Sequence, residues 1–433
     1  MKKIQILILI FMAFAITSKA QKVSSANNLK EDRNLYQIIL KTIKKDLKDK
    51  YYDPNLHGID IEANAKKASD LIEQAQSPNE MDDIIARFLY PFEDSHVYFS
   101  PPSKTATIQY GWEMMFFGDK AFVTKVETDS DAFRKGLRAG DQIYMVNDYI
   151  LTRQDFSLFQ YHFNVLRPQL TLNVLIIKPS GNKYKVEFKS KVTQESVFLP
   201  DYRQLEVDVE KEYYENTKQF FNDKITGLFI WKMPNFDLSS LKLDKMMDKV
   251  KKSNCLIIDL RGNPGGYASI MWQFASYFIG EETKFGEIKD RKEVKEVILK
   301  PKNKKYYQGK IAILIDSESA SAAEGFARFM QIEKKAKIFG DQSAGAVMQA
   351  RSFVYSYGIS SQLFYGITVT VADVIMKDGQ HLEKIGVMPD EKLIPTANDL
   401  ANKRDPVLAK AAEFLGYNLT PEEAGNIFEE KKK

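Results

Sequence analysis

The sequence predicts an α/β protein built around a mostly parallel sheet, and three observations support this class. In the second half of the chain, strand-like apolar runs alternate with helix-like runs, an order that implies parallel strands joined by crossover helices. Residues 353–376 instead have the alternating pattern of antiparallel hairpins appended to that sheet. At 433 residues, the chain is also long enough for two or three domains.

The N-terminus has the composition of a secretory signal peptide. Lys2 and Lys3 precede an apolar stretch, and Ser18 and Ala20 provide the small residues of a cleavage site. This stretch is shorter than the roughly 20 residues that a membrane-spanning helix needs. We therefore expect residues 1–20 to be removed, the protein to be periplasmic or secreted, and no stable membrane insertion to follow. An uncleaved membrane anchor is the alternative.

Charge and composition argue against several classes of protein. The formal net charge is +4, and three of these charges come from lysines in the predicted signal peptide. No basic face with interleaved aromatic residues follows, so nucleic acid is not an expected partner. With Cys255 as the single cysteine, an exported chain has no internal disulfide and depends on its packed cores. No cluster of histidine, cysteine and carboxylate residues has ligand spacing, so we expect neither a metal nor an organic cofactor.

The rest of the chain divides into three regions by its apolar period. Residues 21–99 repeat apolar side chains every three or four positions, which predicts a small helical cap. Residues 100–192 alternate with a period near two, which predicts a β-module of short strands and one short helix. Residues 193–427 carry the alternating pattern of the α/β core.

One segment of the β-module resembles a PDZ domain. "GLRAGDQI", at residues 136–143, is similar to the signature of PDZ domains in bacterial proteases. The resemblance implies a module that adds a peptide C-terminus as an extra strand and binds its carboxylate through backbone N–H groups. The loop and strand of that groove would contain Tyr110, Gly111 and Trp112. A plain β-module with chance glycines is the alternative.

Two loops at the carboxyl ends of predicted strands have the residues for a reactive site, and ligand sites form at these ends in open α/β sheets. "DLRGNPGGYAS" has three glycines and a proline, and its exposed backbone N–H groups suit an oxyanion. It lacks the lysine and glycine spacing of a phosphate-binding loop. "IDSESASAAEGF" places Ser321 at the start of a helix.

Ser321 by itself fits two roles. "SAAE" is the pattern of a capping box, in which the serine hydroxyl bonds a free helix N–H and Glu324 reaches back. The same position, beside free N–H groups and a positive helix end, also suits a nucleophile. A base within hydrogen-bond reach would distinguish the two roles. Of four histidines, His96 has Asp94 and Ser95 beside it, but its position along the chain does not show that it meets Ser321.

The order of these segments resembles a known family. A helical cap, a PDZ-like module, "DLRGNPGG", "SASAAE" and "GVMPDE" together are similar to the C-terminal processing proteases and the tricorn-core serine peptidases. The resemblance implies a mostly parallel-sheet protease core with appended antiparallel hairpins, beside the PDZ-like module and helical cap. It also implies that Ser321 is the nucleophile. The oxyanion donors would be the N–H of Gly265 or Gly266 and that of Ala322.

The family divides over its general base. The processing proteases use a lysine after the nucleophile helix, but the matching "GDQSAGAVMQ" has none and Ala346 stands in its place. The tricorn-like branch uses a histidine next to a serine, with a glutamate before a "GVxPD" element. Ser95, His96 and Glu383 match that order. The resemblance therefore implies His96 as the base, with Ser95 and Glu383 orienting its ring.

These features together predict an exported serine endopeptidase that forms an acyl-enzyme and cleaves unfolded or C-terminally exposed polypeptides. The main alternative is a catalytically silent relative that binds peptide or an apolar ligand in the same cleft. A hydrolase of other esters or amides, and a scaffold acting through its β-module, are further alternatives.

Overall fold

The structure of the protein, a computed structural model, describes residues 18–19, 26–102, 106–194, 218–303, 305–358 and 363–428. Apart from Ser18 and Lys19, the predicted signal peptide lies outside these ranges. Among the helices that are described, none combines the length and the apolar character needed to cross a membrane.

The N-terminal region is helical, as its apolar period predicts. Its elements are β1 (Ser18–Lys19), α1 (Ala26–Lys50), α2 (Ile61–Gln74) and α3 (Pro78–Leu89). Local capping sets the helix starts, because Asp60 accepts a hydrogen bond from the Ala63 N–H and Ser77 from the Glu80 N–H. The apolar faces of the three helices enclose a buried core.

The β-module follows, and its main sheet is antiparallel throughout. The elements are β2 (Tyr98–Ser100), β3 (Ala106–Gln109), β4 (Trp112–Phe117), β5 (Lys120–Val126), α4 (Asp131–Arg134), β6 (Gln142–Val146), β7 (Tyr149–Ile150), α5 (Phe156–Tyr161), β8 (Thr171–Ile177), β9 (Lys183–Lys189) and β10 (Lys191–Gln194). The strand order is β4-β5-β6-β8-β9, which leaves β4 as an edge strand among the described residues.

The remaining elements form the α/β core. They are β11 (Phe220–Asn222), β12 (Leu228–Lys232), α6 (Ser240–Val250), β13 (Cys255–Asp259), α7 (Ala268–Ala275), β14 (Thr283–Asp290), β15 (Val294–Leu299), β16 (Lys310–Ile315), α8 (Ala322–Ile332), β17 (Lys337–Gly340), β18 (Met348–Tyr357), β19 (Leu363–Met376), β20 (Glu391–Lys392), α9 (Ala397–Ala401), α10 (Pro406–Phe414) and α11 (Pro421–Gly425).

The core sheet has the order β11-β12-β13-β16-β17-β20, and the strands from β12 to β20 pair in parallel. Every residue of β13 is buried, because apolar layers cover both faces of the sheet. Its neighbour on one side is β16, with Asp259 opposite Leu314. The loops that leave these two strands therefore emerge side by side at one edge of the sheet.

The mixed α/β class is confirmed, but parallel pairing is confined to that core sheet. A second sheet, β15-β14-β19-β18, is antiparallel, and β2 joins it by pairing with β19. Across the described residues as a whole, antiparallel pairing therefore predominates, and the mostly parallel sheet that the sequence predicted is only one of several sheets. The physical reason is that crossover helices join only the core strands, whereas short turns join most of the others.

Candidate active site

Ser321 lies directly before α8, after the loop that leaves β16. Its backbone has φ +55° and ψ −118°, whereas a capping serine ordinarily has an extended backbone. A positive φ is uncommon outside glycine and occurs where surrounding contacts hold the strained conformation. Those contacts are present, since the Ser321 N–H donates to the Ala346 carbonyl at 2.9 Å and to Glu324 Oε2 at 3.0 Å. The glutamate thus reaches back as predicted, while the serine backbone differs from that of an ordinary cap.

The glycine-rich loop after β13 packs against Ser321 at Gly265. A Cβ atom at Gly265 would lie 2.7 Å from the Ser321 Cβ and 2.9 Å from the Ala322 nitrogen, so only glycine fits. The two loops are also joined by a hydrogen bond of 2.9 Å from the Ala320 N–H to the Asn263 carbonyl. The loop after β13 and the turn before α8 therefore form one packed unit.

Two backbone N–H groups of this unit are available to a ligand. The Gly265 N–H donates to Asn263 Oδ1 at 2.8 Å and is therefore engaged. The N–H groups of Gly266 and Ala322 have no acceptor among the described residues. Of the two glycines named from the sequence, Gly266 is thus the one with a free donor. Asn263, which engages Gly265, carried no sequence signal beyond its place in the loop.

His96 is almost buried, and a relay of hydrogen bonds orients its ring. Its Nδ1 lies 2.8 Å from Ser95 Oγ, and Ser95 Oγ lies 3.0 Å from Glu383 Oε2. The Ser95 N–H also donates to Glu383 Oε1 at 3.0 Å. Because an ionised carboxylate only accepts, the single Ser95 hydroxyl proton points to Glu383, and Ser95 accepts from Nδ1–H. This arrangement leaves Nε2 of His96 as the proton acceptor that a general base needs.

Asp94 anchors the loop that carries His96. Its Oδ1 accepts hydrogen bonds from the His96 N–H at 2.9 Å and from Thr370 Oγ1 at 2.7 Å, and its Oδ2 accepts from the Tyr51 hydroxyl at 3.0 Å. The loop is thereby tied to both β19 and the helical cap. Burial lowers the pKa of His96, and the charge of Asp94 opposes that effect. The ring is therefore held neutral near pH 7, the state in which it accepts a proton.

Ser321 and the His96 relay contact consecutive residues of one segment. The Ala346 carbonyl accepts from the Ser321 N–H, and the next N–H, that of Val347, donates to Glu383 Oε2 at 2.9 Å. No direct hydrogen bond joins Ser321 to His96 in the described part of the chain. Catalytic hydrogen bonds are often long in ligand-free enzymes and tighten when substrate binds. The fold thus brings these groups to one neighbourhood, although they are far apart along the chain.

The aromatic residues predicted for the peptide groove of the β-module have buried side chains. Tyr110 and Trp112 are both 8% exposed and belong to the module's apolar core. The Tyr110 hydroxyl donates to the Phe163 carbonyl and accepts from the Gln169 N–H. Gly111 packs so closely that an added Cβ would lie 2.4 Å from the Cβ of Ser130. Because the alternating pattern turns both aromatic rings into the core, residues 110–112 can offer a peptide only their backbone groups, and their role in peptide binding stays a prediction.

The other histidines lie outside this network. His57 and His381 are exposed, and His381 pairs with Asp373 at 3.0 Å. His162 lies 3.7 Å from Asp83 of the helical cap. Among the described residues, no group of three or more histidine, cysteine or acidic side chains is arranged to hold a metal ion.

Comparison with known proteins shows similarity to serine peptidases in two stretches of the chain. The model of peptidase family S41 matches residues 230–393, and that of the tricorn protease C1 domain matches residues 33–90. A probable CtpA-like serine protease of Staphylococcus epidermidis is 30% identical over 138 residues, which cover 31% of this chain and 26% of that protein. The carboxy-terminal processing protease CtpA of Bacillus subtilis is 25% identical over 158 residues, covering 36% and 32%.

The fold has a counterpart among solved structures. The structure of mature CPAF complexed with lactacystin superposes with a TM-score of 0.64 over 92% of this chain and 99% of that one, at 15% identity. These findings confirm the resemblance to the C-terminal processing and tricorn-core serine peptidases. The sequence matches span only about a quarter to a third of the two curated relatives.

Proposed function

We propose that the protein is a serine endopeptidase with Ser321 as nucleophile and His96 as general base. The observation that carries this proposal is the relay from His96 through Ser95 to Glu383, which ends on the segment that also holds the Ser321 backbone. An isolated capped helix has no need for an oriented imidazole nearby. The family matches support the same class of enzyme.

The reaction follows from the roles of these groups. Ser321 Oγ attacks the peptide carbonyl carbon while Nε2 of His96 takes the hydroxyl proton. The N–H groups of Gly266 and Ala322 stabilise the oxyanion. His96 then gives its proton to the leaving amine, and an acyl-enzyme remains on Ser321. Water, deprotonated by His96, attacks the ester and releases the new C-terminus.

Unfolded or C-terminally exposed polypeptides are the proposed substrates, and the β-module is a PDZ-like unit that delivers them. The edge strand β4 supports this role, because a peptide can add to an unpaired strand edge. The module also lies beside the nucleophile turn, since Ser317 Oγ donates to the Phe116 carbonyl at 2.6 Å. The proposed organisation is a signal peptide at 1–20, a helical region at 21–99, the PDZ-like domain at 100–192 and the catalytic core at 193–427.

Export to the periplasm or the medium completes the proposal. It depends on the charged, apolar and small-residue pattern of residues 1–20. Mass determination of the protein purified from its native compartment tests it. A mature N-terminus at Gln21 is expected, and an intact Met1 would contradict it.

Reaction of a fluorophosphonate with the intact protein tests the catalytic assignment. We expect one phosphonyl group on Ser321 by mass spectrometry, digestion of unfolded casein, and loss of both in Ser321→Ala. His96→Ala should slow labelling by about 10³-fold or more, because the serine loses its base. His381→Ala is the matched control and should react at the wild-type rate.

Three outcomes would contradict the proposal. Loss of activity in His381→Ala with retention in His96→Ala would show that the base is misassigned. A folded wild-type protein that takes up no label would instead be a silent relative that binds peptide or an apolar ligand. Cleavage of small esters without any cleavage of polypeptides would indicate a different hydrolase.

A further inference from the structure

Three successive backbone N–H groups donate to two carboxylates, the buried Glu324 and the partly buried Glu383. The Gly345 N–H donates to Glu324 Oε1 at 2.7 Å, and the Ala346 N–H donates to Glu324 Oε2 at 2.9 Å. The next N–H, that of Val347, donates to Glu383 Oε2 at 2.9 Å. Consecutive N–H groups directed to one side form a concave site for negative charge. Here the protein's own glutamates occupy it.

Glu324 makes two more contacts, one with the nucleophile residue and one with Ser343, two residues before Gly345. Its Oε2 also accepts from the Ser321 N–H at 3.0 Å, and its Oε1 also accepts from Ser343 Oγ at 2.5 Å. The side chain is fully buried, with 0% exposed. Each oxygen thus accepts two hydrogen bonds, which a carboxylate can do and an amide cannot.

We propose that Glu324 is a positioning residue that, together with Glu383, clasps residues 345–347 and so sets the separation of nucleophile and base. Glu324 holds the Ser321 end of the segment, and Glu383 holds the end that contacts the His96 relay. The backbone between them spans only one peptide unit. This inference rests on the proposed function, since it assigns how the two catalytic groups are held in register.

The expected size of the effect follows from the chemistry of the contacts. Glu324→Gln places an amide NH₂ against two donors, so two buried hydrogen-bonding groups lose their acceptor. Displacement of a catalytic group by about 1 Å slows a reaction by roughly 100-fold. We therefore expect Glu324→Gln to slow acylation of Ser321 by about 10- to 100-fold and to leave KM within about twofold. Glu324→Asp keeps the charge and should recover part of the rate.

The rate of fluorophosphonate labelling of Ser321 and the kcat and KM for a peptide substrate test the clasp. Glu333→Gln is the matched control, because Glu333 follows the opposite end of α8 and pairs at the surface with Lys377. It should react at the wild-type rate. In the Glu324→Gln, Glu383→Gln double variant, labelling should be no slower than in the slower single variant, since both act through one segment. The clasp would be overturned if the rate losses of the two single variants multiply in the double variant. A wild-type labelling rate in Glu324→Gln would also overturn it.

Hydrogen exchange of residues 345–347 tests the clasp without reference to activity. Glu324→Gln should accelerate exchange of the Val347 N–H, which Glu324 does not contact, as well as those of Gly345 and Ala346. Unchanged protection of Val347 would overturn the clasp even if the enzyme is active. If the wild-type protein takes up no fluorophosphonate but Glu324→Gln still accelerates exchange of all three N–H groups, only the proposed function is overturned. If Glu324→Gln does not fold, Glu324→Asp serves in both measurements.

Discussion

For single residues, the main feature of the site is a pair of acidic side chains, one buried and one partly buried, whose charge solvent stabilises poorly. Burial raises the pKa of Glu324 to about 7, although hydrogen bonds from Ser343 and from three backbone N–H groups favour the charged form. Burial likewise raises the pKa of Glu383, against the hydrogen bonds from Ser95. The charged network around the proposed catalytic groups therefore forms at a cost in stability, a common relation between active sites and folding.

Glu324 should make the protein less stable as the pH rises. The pKa of Glu324 is about 7 in the folded state, whereas its ordinary value is 4.5. The carboxyl group therefore binds its proton more tightly in the folded protein than in the unfolded chain. Its contribution to stability is therefore complete below pH 4.5 and is lost as the pH rises through about 7. Between pH 4.5 and 8, the unfolding free energy of the wild type should fall relative to that of Glu324→Gln by on the order of 3 kcal/mol. Denaturant unfolding at both pH values measures this. A difference in unfolding free energy between the two proteins that is the same at both pH values would contradict this prediction.

At the scale of elements, the site forms where a glycine loop meets a helix start. The Asp259 carboxylate at the end of β13 and the N-cap Asp405 of α10 both pair with Arg261, at 2.8 Å and 2.7 Å. Arg261 thus fixes the base of the glycine loop against the core, and Gly265 at its far end contacts Ser321. The loop is rigid at both ends, as preorganised oxyanion donors require.

Gly265→Ala should abolish activity, whereas Gly262→Ala should not. Both glycines have positive φ, +102° and +69°, so both variants carry backbone strain of about 1 kcal/mol. Only at Gly265 does the new Cβ clash, 2.7 Å from Ser321, because nothing lies within 4 Å of Gly262. We expect Gly265→Ala to lose about 100-fold or more in labelling rate and Gly262→Ala to stay within a few-fold of wild type. Equal rates in the two variants would mean that the close contact is not needed.

At the scale of the whole molecule, the β-module and the core meet next to the clasped segment. Arg153 Nη1 lies 2.6 Å from Asp341 Oδ2, and the Gly118 N–H donates to the same oxygen at 2.8 Å. Arg153 also donates to the Gln342 carbonyl. Asp341 is 2% exposed and lies two residues before Ser343. Direct contacts therefore link the module to the segment that we propose holds the catalytic groups.

Arg153→Ala should loosen this contact and weaken peptide turnover. Removing the arginine takes away the closer of the two cationic partners of the buried Asp341 carboxylate and leaves only Lys392 at 3.5 Å, a costly change for a buried charge. We expect hydrogen exchange near Gly118 to rise and kcat/KM for a polypeptide to fall about tenfold, while a small ester is affected less. Arg134→Ala, at an exposed ion pair of the same module, is the control. Equal losses for peptide and ester would show that the module does not act in substrate delivery.

The alternating α/β class and the helical cap could be predicted from the sequence, because short stretches of chain carry their apolar period. The roles of Ser321, His96, Ser95 and Glu383 came from the resemblance of the motif order to a known family, since local patterns alone left Ser321 open between a helix cap and a nucleophile. Which N–H groups remain free depends on tertiary packing, because Asn263 engages Gly265 and leaves Gly266 available. Tertiary packing also turned the Tyr110 and Trp112 rings into the module's core, and it joined the nucleophile turn to the His96 relay through residues 346 and 347. Hydrogen-bond partners far apart along the chain are set by packing, which leaves no local pattern to detect.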